Sequence, residues 1–321
     1  MSRIAVIGAG AWGTALAHVA ATAGNQVALM GRDRATIDAV NKQHRHPSLG
    51  EAELHHGIEA RAEFEARADA IILAVPAQES RAALIPLAAA LAGKPVILSA
   101  KGLESGTGLR QSEILAAIAP TALPLVLSGP SFAADVARSK PTAVTLAAND
   151  PALADRIAAL LAGPSFRPYA AGDVAGVEIA GALKNVFAIA CGAVEGAGLG
   201  LSARSAVLAR SFAELSRLVV ALGGEAATLN GLAGIGDLTL SCTTRQSRNY
   251  DHGFRLGAGQ ANGRTLVEGV HTAPVALMLA QKVKVDAPIT GAVNALISGR
   301  AKIAKLVEAL MTRPLRREGG H

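Results

Sequence analysis

The stretch Ile4-Ala5-Val6-Ile7-Gly8-Ala9-Gly10-Ala11-Trp12-Gly13-Thr14-Ala15-Leu16-Ala17 decides the fold. Four apolar residues read as a buried parallel strand, the glycines punctuate a turn, and a helical run follows as far as Thr22. The three glycines do different things. Gly8 permits the tight turn, Gly10 lets backbone approach a ligand, and Gly13 lets the helix pack closely on the strand. Unpaired N–H groups at the helix start then face an anion together with the positive end of the helix dipole. A second strand, Gln26 to Met30, completes the unit, and this context favours a dinucleotide site over a glycine-rich structural turn.

Working outward, the end of that second strand is where the adenosine ribose is contacted. The sequence there is Met30-Gly31-Arg32-Asp33-Arg34, with no carboxylate at the tip. An acid at the tip favours NAD, whereas Arg32 can pair with a 2′-phosphate and so favours NADP. Asp33, one residue further on, leaves NAD open, and Arg32 and Arg34 equally fit a solvated loop.

Beyond it, Asp38 to Glu63 is polar and poorly periodic. Strands are then expected at Ala70 to Val75, Pro95 to Ala100, Leu123 to Ser128 and Thr142 to Ala147, alternating with helices at Ser80 to Leu91, Ser112 to Ile118 and Pro151 to Ala162. This alternation specifies an α/β fold with a doubly wound, Rossmann-type parallel sheet covered on both faces. From about Val177 the apolar period becomes helical throughout, over Glu178 to Ala193, Ala203 to Ala221, Thr272 to Lys282 and Val293 to Leu296. The expected division is a dinucleotide-binding domain at 1–177 and an all-helical domain at 178–321. Ala170 to Ala175 would form the hinge, and the ligand cleft would lie between the halves at the carboxyl ends of the strands.

Half of the 321 residues are apolar and only 3% aromatic, so Ala, Leu, Val and Ile must fill the cores. The net charge of +6 is scattered rather than gathered into an aromatic-interleaved stripe. That pattern argues against nucleic acid and for a field that gathers phosphorylated ligands. Cys191 and Cys242 lack CxxC spacing or a histidine partner pattern, so reduced thiols and no metal are expected. The glycine-rich start lacks a basic leader region, and no uninterrupted run of membrane length stands out, so a cytoplasmic protein is expected.

Candidate reactive groups follow strand ends. Lys101-Gly102-Leu103-Glu104 follows one strand, and Ser128-Gly129-Pro130-Ser131-Phe132-Ala133 follows another. Lys184 and Asn185 interrupt an apolar helix, where a lysine either snorkels to solvent or sits in a cleft ready for proton transfer. Asp237 follows Gly231-Leu232-Ala233-Gly234-Ile235-Gly236. The cluster Thr243-Thr244-Arg245-Gln246-Ser247-Arg248-Asn249 reads as a phosphate receptor at a helix start, or equally as an N-cap. Leu266-Val267-Glu268-Gly269 places an acid beside a glycine.

Taken in order, GAGAWGTALA (8–17), AVPAQ (74–78), KGLE (101–104), LSGPSFA (127–133), GVEIAGALKNVFAIACG (176–192), GLAGIGDLTLSCT (231–243), SRN (247–249) and VEGVHTA (267–273) closely resemble the bacterial NAD(P)-dependent glycerol-3-phosphate dehydrogenases. The resemblance implies a helical second domain like that of 6-phosphogluconate dehydrogenases. It also implies a homodimer, and hydride transfer between the nicotinamide and C2 of sn-glycerol 3-phosphate that supplies the phospholipid backbone. It makes Lys184 the proton donor or acceptor. Lys101, Gly129, Ser131, Lys184, Asp237, Ser247, Arg248 and Asn249 would hold substrate. Gly8, Gly10, Ala11, Trp12, Gly13, Arg32, Lys101, Ala133, Arg248, Leu266 and Glu268 would line the cofactor.

One segment departs from the family pattern. An Asn-x-x-Tyr-Leu-Pro-like segment is replaced by His44-Arg45-His46-Pro47-Ser48-Leu49-Gly50, the cofactor-contacting tyrosine is absent, and no cofactor role is assigned to His46 or its neighbours. Two other readings share the two-domain plan: a ketopantoate reductase or 3-hydroxy acid dehydrogenase, which gives no reason for the SRN receptor, and a cofactor-sensing module, which needs no buried lysine beside a phosphate site.

Overall fold

The computed structural model describes residues 1–64, 67–261 and 266–312. Strand β1 (Arg3–Ile7) sits inside an eight-stranded sheet with β2 (Gln26–Met30), β3 (Ile58–Arg61), β4 (Ala70–Leu73), β5 (Pro95–Leu98), β6 (Leu123–Ser128), β7 (Thr142–Ala147) and β8 (Phe166–Ala171), in the order β3-β2-β1-β4-β5-β6-β7-β8. The order reverses at β1, which β2 and β4 flank in parallel. That reversal is the switch point where doubly wound sheets open a crevice beyond the strands' carboxyl ends. All four residues of β4 and of β5 are buried, as strands covered on both faces require.

The helices of this half are α1 (Ala11–Thr22), α2 (Arg34–Gln43), α3 (Ser80–Leu84), α4 (Ala88–Leu91), α5 (Gln111–Ile118), α6 (Ala133–Ala137) and α7 (Pro151–Leu161). One core packs Leu16 and Val19 of α1 against Ile4, Val6 and Leu29; a second, on the other sheet face, gathers Ile71, Leu73, Val96, Leu98, Ile114 and Leu115. Each fully buried side chain of this kind contributes about 1.5–3 kcal/mol of transfer free energy.

The second half consists of α8 (Val174–Gly196), α9 (Gly200–Ala221), α10 (Asp237–Cys242), α11 (Arg248–Gly257), α12 (Glu268–Lys282), α13 (Pro288–Ile297) and α14 (Ile303–Met311). Helix α8 is its axis. Among the described residues it is the one helix long and apolar enough to cross a membrane, yet 89% of its most apolar window is buried inside the protein. Its start belongs to the sheet, since Val174 and Val177 lie in the second sheet core, while Ile179 onward anchors the helical core. The expected 177/178 boundary therefore falls inside this helix.

Several local expectations change. Strand β3 lies within the segment that read as polar, and helix α2 runs into it from Arg34: Ile58-Glu59-Ala60-Arg61 is a short edge strand that alternates buried and outward residues, so its mean polarity concealed it. Strand β8 also escaped notice, because Arg167 and Pro168 break its apolar run; at an edge both are tolerated. The sheet is not wholly parallel, since β7 runs antiparallel to β6 with Leu127 opposite Leu146. The five residues of α6 span only about 7 Å, too little to return the chain along a strand of about 20 Å, so β7 comes back directly. The single helix expected over Ser80 to Leu91 is broken into short pieces around Pro86, whose ring removes a backbone donor.

Candidate active site

The turn after β1 is built as its glycines require. Gly8 has φ +111°, and its N–H donates to the Met30 carbonyl oxygen at 2.9 Å. A Cβ on Gly13 would lie 1.9 Å from the Gly8 carbonyl oxygen, so only glycine lets α1 start here. Around Gly10 a Cβ would meet nothing within 4 Å, and Gly10 caps α1 with no side chain. The first-turn N–H groups are therefore left for a ligand, in the open space an anionic diphosphate needs. Ala11, Trp12 and Ala133 pack against the sheet core beside this turn. Arg32 is exposed and forms no ion pair among the described residues. Asp33 instead caps α2, accepting from the Ala35 and Thr36 N–H groups and the Thr36 hydroxyl. Those bonds, the Thr36 hydroxyl first, hold its carboxyl below the usual carboxylate range.

Beyond the strand ends, two lysines from distant parts of the chain meet on one carboxylate. The Lys184 Nζ donates to Asp237 Oδ1 at 2.7 Å and to the Ser241 hydroxyl at 2.7 Å. The Lys101 Nζ donates to Asp237 Oδ2 at 2.6 Å and to the Gly129 carbonyl at 2.9 Å, where the Ser131 hydroxyl also donates at 3.0 Å. Lys184 does not snorkel: its side chain is 11% exposed, and that of Asp237 only 1%. Burial works against the Asp237 charge, but the two ammonium groups outweigh it and hold the carboxyl below its ordinary range. Burial and the neighbouring Lys184 push Lys101 down to about 8, although Asp237 opposes the shift. Two cations and one anion leave a single net positive charge in a poorly hydrated space, which suits a phosphorylated anion.

Local sequence explains how these groups converge. A Cβ on Gly181 would lie 2.9 Å from the Ser128 hydroxyl, so this glycine lets α8 cross the end of β6 and deliver Lys184. Asp237 begins α10 after a kinked turn over Leu232–Gly236 in which Gly234 leaves helical geometry. Helices α8 and α11 touch backbone to backbone: a Cβ on Gly192 would lie 2.0 Å from the Tyr250 carbonyl oxygen, and one on Gly253 2.1 Å from that of Ile189. This approach brings the Ser247-Arg248-Asn249 segment beside the lysine helix.

In that segment Ser247 caps α11, its hydroxyl accepting from the Tyr250 N–H, and Arg248 is exposed. The Asn249 amide is engaged within the protein, donating to Asn185 Oδ1 at 2.9 Å and accepting from the Gly269 N–H at 2.9 Å. Asn185 in turn donates to the Lys101 carbonyl at 2.8 Å. This buried chain ties the Lys101 loop to the start of α12, where Glu268 Oε1 accepts from the Ala77 N–H at 3.2 Å. The other Glu268 oxygen is buried without a hydrogen-bond partner among the described residues, and burial raises this carboxyl above its ordinary value. An orphaned acceptor at the carboxyl ends of the strands fits a ligand that brings a donor, such as a carboxamide. Leu266 is half-exposed just ahead of it.

The structure thus joins Lys101, Gly129, Ser131, Lys184 and Asp237 directly, and Asn249 and Glu268 through the amide chain. No bond among the described residues links Arg32, Ser247 or Leu266 to that cluster. Sequence reasoning missed Ser241 as a partner of the Lys184 ammonium, and it named Asn185 without its bond to the Lys101 carbonyl. For Ser241 the one available signal is its spacing of four from Asp237, which puts both on one helix face.

The chain's similarities to known proteins agree with this geometry. The model of the NAD-dependent glycerol-3-phosphate dehydrogenase N-terminus matches residues 3–154, and that of the C-terminus residues 173–308. The glycerol-3-phosphate dehydrogenase [NAD(P)+] of Brucella ovis is 48% identical over 99% of both chains, and that of Rhodospirillum rubrum 45% identical over 100% of this chain and 95% of its own length. The crystal structure of the glycerol-3-phosphate dehydrogenase of Coxiella burnetii superposes with a TM-score of 0.90 at 33% identity, covering 97% of this chain and 99% of its own. A 2-dehydropantoate 2-reductase from Methylococcus capsulatus, at 18% identity and a TM-score of 0.58, shares the fold alone. With both halves matched and full-length relatives this similar, the chain belongs to the NAD-dependent glycerol-3-phosphate dehydrogenase family.

Proposed function

We propose that the Lys101–Asp237–Lys184 cluster performs the proton transfer and charge recognition of an NAD(P)-dependent oxidoreductase. The reaction interconverts dihydroxyacetone phosphate and sn-glycerol 3-phosphate, the latter serving phospholipid synthesis. The observation that carries this reading is one buried carboxylate gripping two lysine ammonium groups at the carboxyl ends of the strands. A nicotinamide held beside C2 would supply the hydride in one direction and accept it in the other. As the ketone oxygen gains charge, the Lys184 ammonium donates its proton to it, and in the opposite direction the amine takes that proton back. Asp237 and Ser241 aim the Lys184 Nζ. Lys101, still carrying its proton below about pH 8, supplies the charge that meets the phosphorylated substrate. Gly129 and Ser131 shape the wall beside it, and Ser247, Arg248 and Asn249 present a helix N-terminus and a guanidinium to the phosphate.

The cofactor would lie along Gly8, Gly10, Ala11, Trp12 and Gly13, pass Ala133 and Lys101, and end near Arg248, Leu266 and Glu268. Because the Asp33 carboxylate is already occupied by three donors on α2, it is a poor partner for a ribose hydroxyl, which supports NADP at Arg32 over NAD. The division of labour follows the chain: residues 1–177 hold most of the cofactor, and 178–321 supply the acid, most of the substrate contacts and the cofactor's far end. A cytoplasmic homodimer completes the reading. The exposed Leu201 and Val220 on α9, 63% and 53% accessible, support a partner on the helical half.

Steady-state turnover with dihydroxyacetone phosphate and with ketopantoate tests the assignment. Oxidation of reduced cofactor by the phosphorylated ketone alone is the expected result. Turnover of ketopantoate in its place would refute the phosphate reading, and cofactor binding without either turnover would make the protein a sensor.

A further inference from the structure

The segment that departs from the family pattern is fastened to the cofactor turn itself. His46 is 5% exposed, and its Nε2 lies 3.0 Å from the Ala9 carbonyl oxygen, in the middle of Gly8-Ala9-Gly10. Its Nδ1 accepts from the Ser48 N–H at 3.1 Å. A carbonyl can only accept and an amide N–H can only donate, so the ring must carry its proton on Nε2 and present a lone pair on Nδ1. The backbone around it is equally fixed. The Leu49 N–H returns to the His46 carbonyl at 3.0 Å, and Leu49, Ala52 and Leu54 are buried in the sheet core. At the far end of the loop the His55 N–H donates to His18 Nδ1 at 3.0 Å, and His18 Nε2 meets the Ser139 hydroxyl at 3.1 Å.

We infer that His46 is a positioning residue for the cofactor turn, holding the Ala9 carbonyl from behind so that the Gly10 N–H faces the pyrophosphate. The reason is peptide geometry. The Ala9 C=O and the Gly10 N–H share one planar trans unit and point in opposite directions, so fixing one aims the other. A Cβ on Gly10 would meet nothing within 4 Å, and the Gly10 carbonyl accepts from the Thr14 N–H at 2.9 Å, so α1 holds the far side of Gly10 while no side-chain packing holds the Ala9–Gly10 peptide on the ligand side. With Gly8 tied to Met30 and Gly10 to Thr14, the peptide between Ala9 and Gly10 is held from behind by the His46 ring on the Ala9 carbonyl. It acts through Ala9 rather than by touching the ligand. The segment thus serves the cofactor without the tyrosine contact that the family pattern would supply there. The inference rests on the reading of residues 8–13 as a pyrophosphate site.

Two substitutions separate the two bonds of the ring. In His46→Asn the short amide can still accept from the Ser48 N–H, as Asx turns do, but cannot reach Ala9; His46→Gln can reach Ala9 with its N–H. The readouts are fluorescence titrations of the full-length protein with NADPH, NADH and ADP-ribose, steady-state kinetics with dihydroxyacetone phosphate, and thermal melting. Loss of one hydrogen bond that orients an anion-binding amide corresponds to roughly a five- to tenfold rise in Kd. We expect that rise in His46→Asn for NADPH and ADP-ribose alike, an unchanged KM for the ketone, kcat at saturating cofactor within about twofold, and recovery in His46→Gln. Wild-type affinity in His46→Asn, or a lowered melting temperature with no change in Kd, would overturn the inference. On the unaltered protein, the His46 ring nitrogens should report the Nε2–H tautomer and shift when ADP-ribose binds; unmoved signals would also overturn it. Failure of the wild-type protein to bind any of the three ligands would refute the cofactor-site reading instead.

Discussion

At the residue scale, the proposed function rests on charges held where water is scarce. Lys101 loses its proton at about 8, so the KM for the phosphorylated ketone should climb as pH rises through that value while kcat changes less; pH-dependent kinetics would show it, and a flat KM up to about pH 9 would argue against Lys101 as the phosphate's partner. Glu178 supplies a second, independent test. It is buried against the Ser112 N–H and hydroxyl with Arg110 3.8 Å away, and burial pushes it up to about 7 despite those partners. Its folded value lies above the ordinary 4.5, so the folded state keeps a proton that the unfolded chain releases between the two. The stability this group contributes is complete below the ordinary value and fades as pH rises towards 7. The melting temperature of the wild type should therefore fall relative to that of Glu178→Gln between about pH 5 and 8, a difference scanning calorimetry would detect. The candidate lysines, Asp237 and the glycines of the first turn were legible in the sequence because each is an unusual residue in its local pattern. Asn185 stood out in its apolar helix but its partners did not, and Ser241 did not stand out at all, since a serine or an asparagine on a helix acquires its role only from what lies opposite.

At the element scale the decisive contact is that between α8 and α11. Glycines on both helices let the backbones touch, and this sets where Asn249 stands relative to Asn185 and hence the Lys101 loop. Gly253→Ala would drive a methyl group into the Ile189 carbonyl and should destabilise the protein by about 1–3 kcal/mol through overpacking. Activity should fall further than the unfolded fraction explains, because the amide chain shifts with α11. A lowered melting temperature with undiminished turnover in the folded fraction would show that this contact does not position the site. The elements themselves were readable where periodicity was strong, as in β1, β2, β6, β7 and the long α8. They were lost where the pattern averaged out: β3 and β8 are edge strands, and edges select for charge and proline. The direction of β7 left no trace in its own residues, since strand composition does not encode polarity.

At the scale of the whole molecule, the sheet half brings the turn at 8–13 and Lys101 to one crevice, and the helical half places Lys184, Asp237 and Glu268 opposite. The halves share packing where Val174, Val177 and Ala233 enter the second sheet core and where Leu103 meets Ala182 and Val275, so one rigid contact sets the cofactor side against the substrate side. The cofactor half also predicts its own selectivity: Arg32→Ala should weaken NADPH binding while leaving NADH within about twofold, since only the former carries a phosphate for the guanidinium. Equal losses for both cofactors in parallel titrations would remove Arg32 from that role. The two-part plan and the crevice were visible in the change of period near residue 177, whereas the buried carboxylate shared by two lysines needed three dimensions. The most direct test of the central claim is the oxidation of NADPH by dihydroxyacetone phosphate in the wild type and in Lys184→Ala. Turnover should fall at least about a hundredfold in the variant with NADPH affinity nearly unchanged. Normal turnover in Lys184→Ala would contradict the assignment of Lys184 as the proton donor.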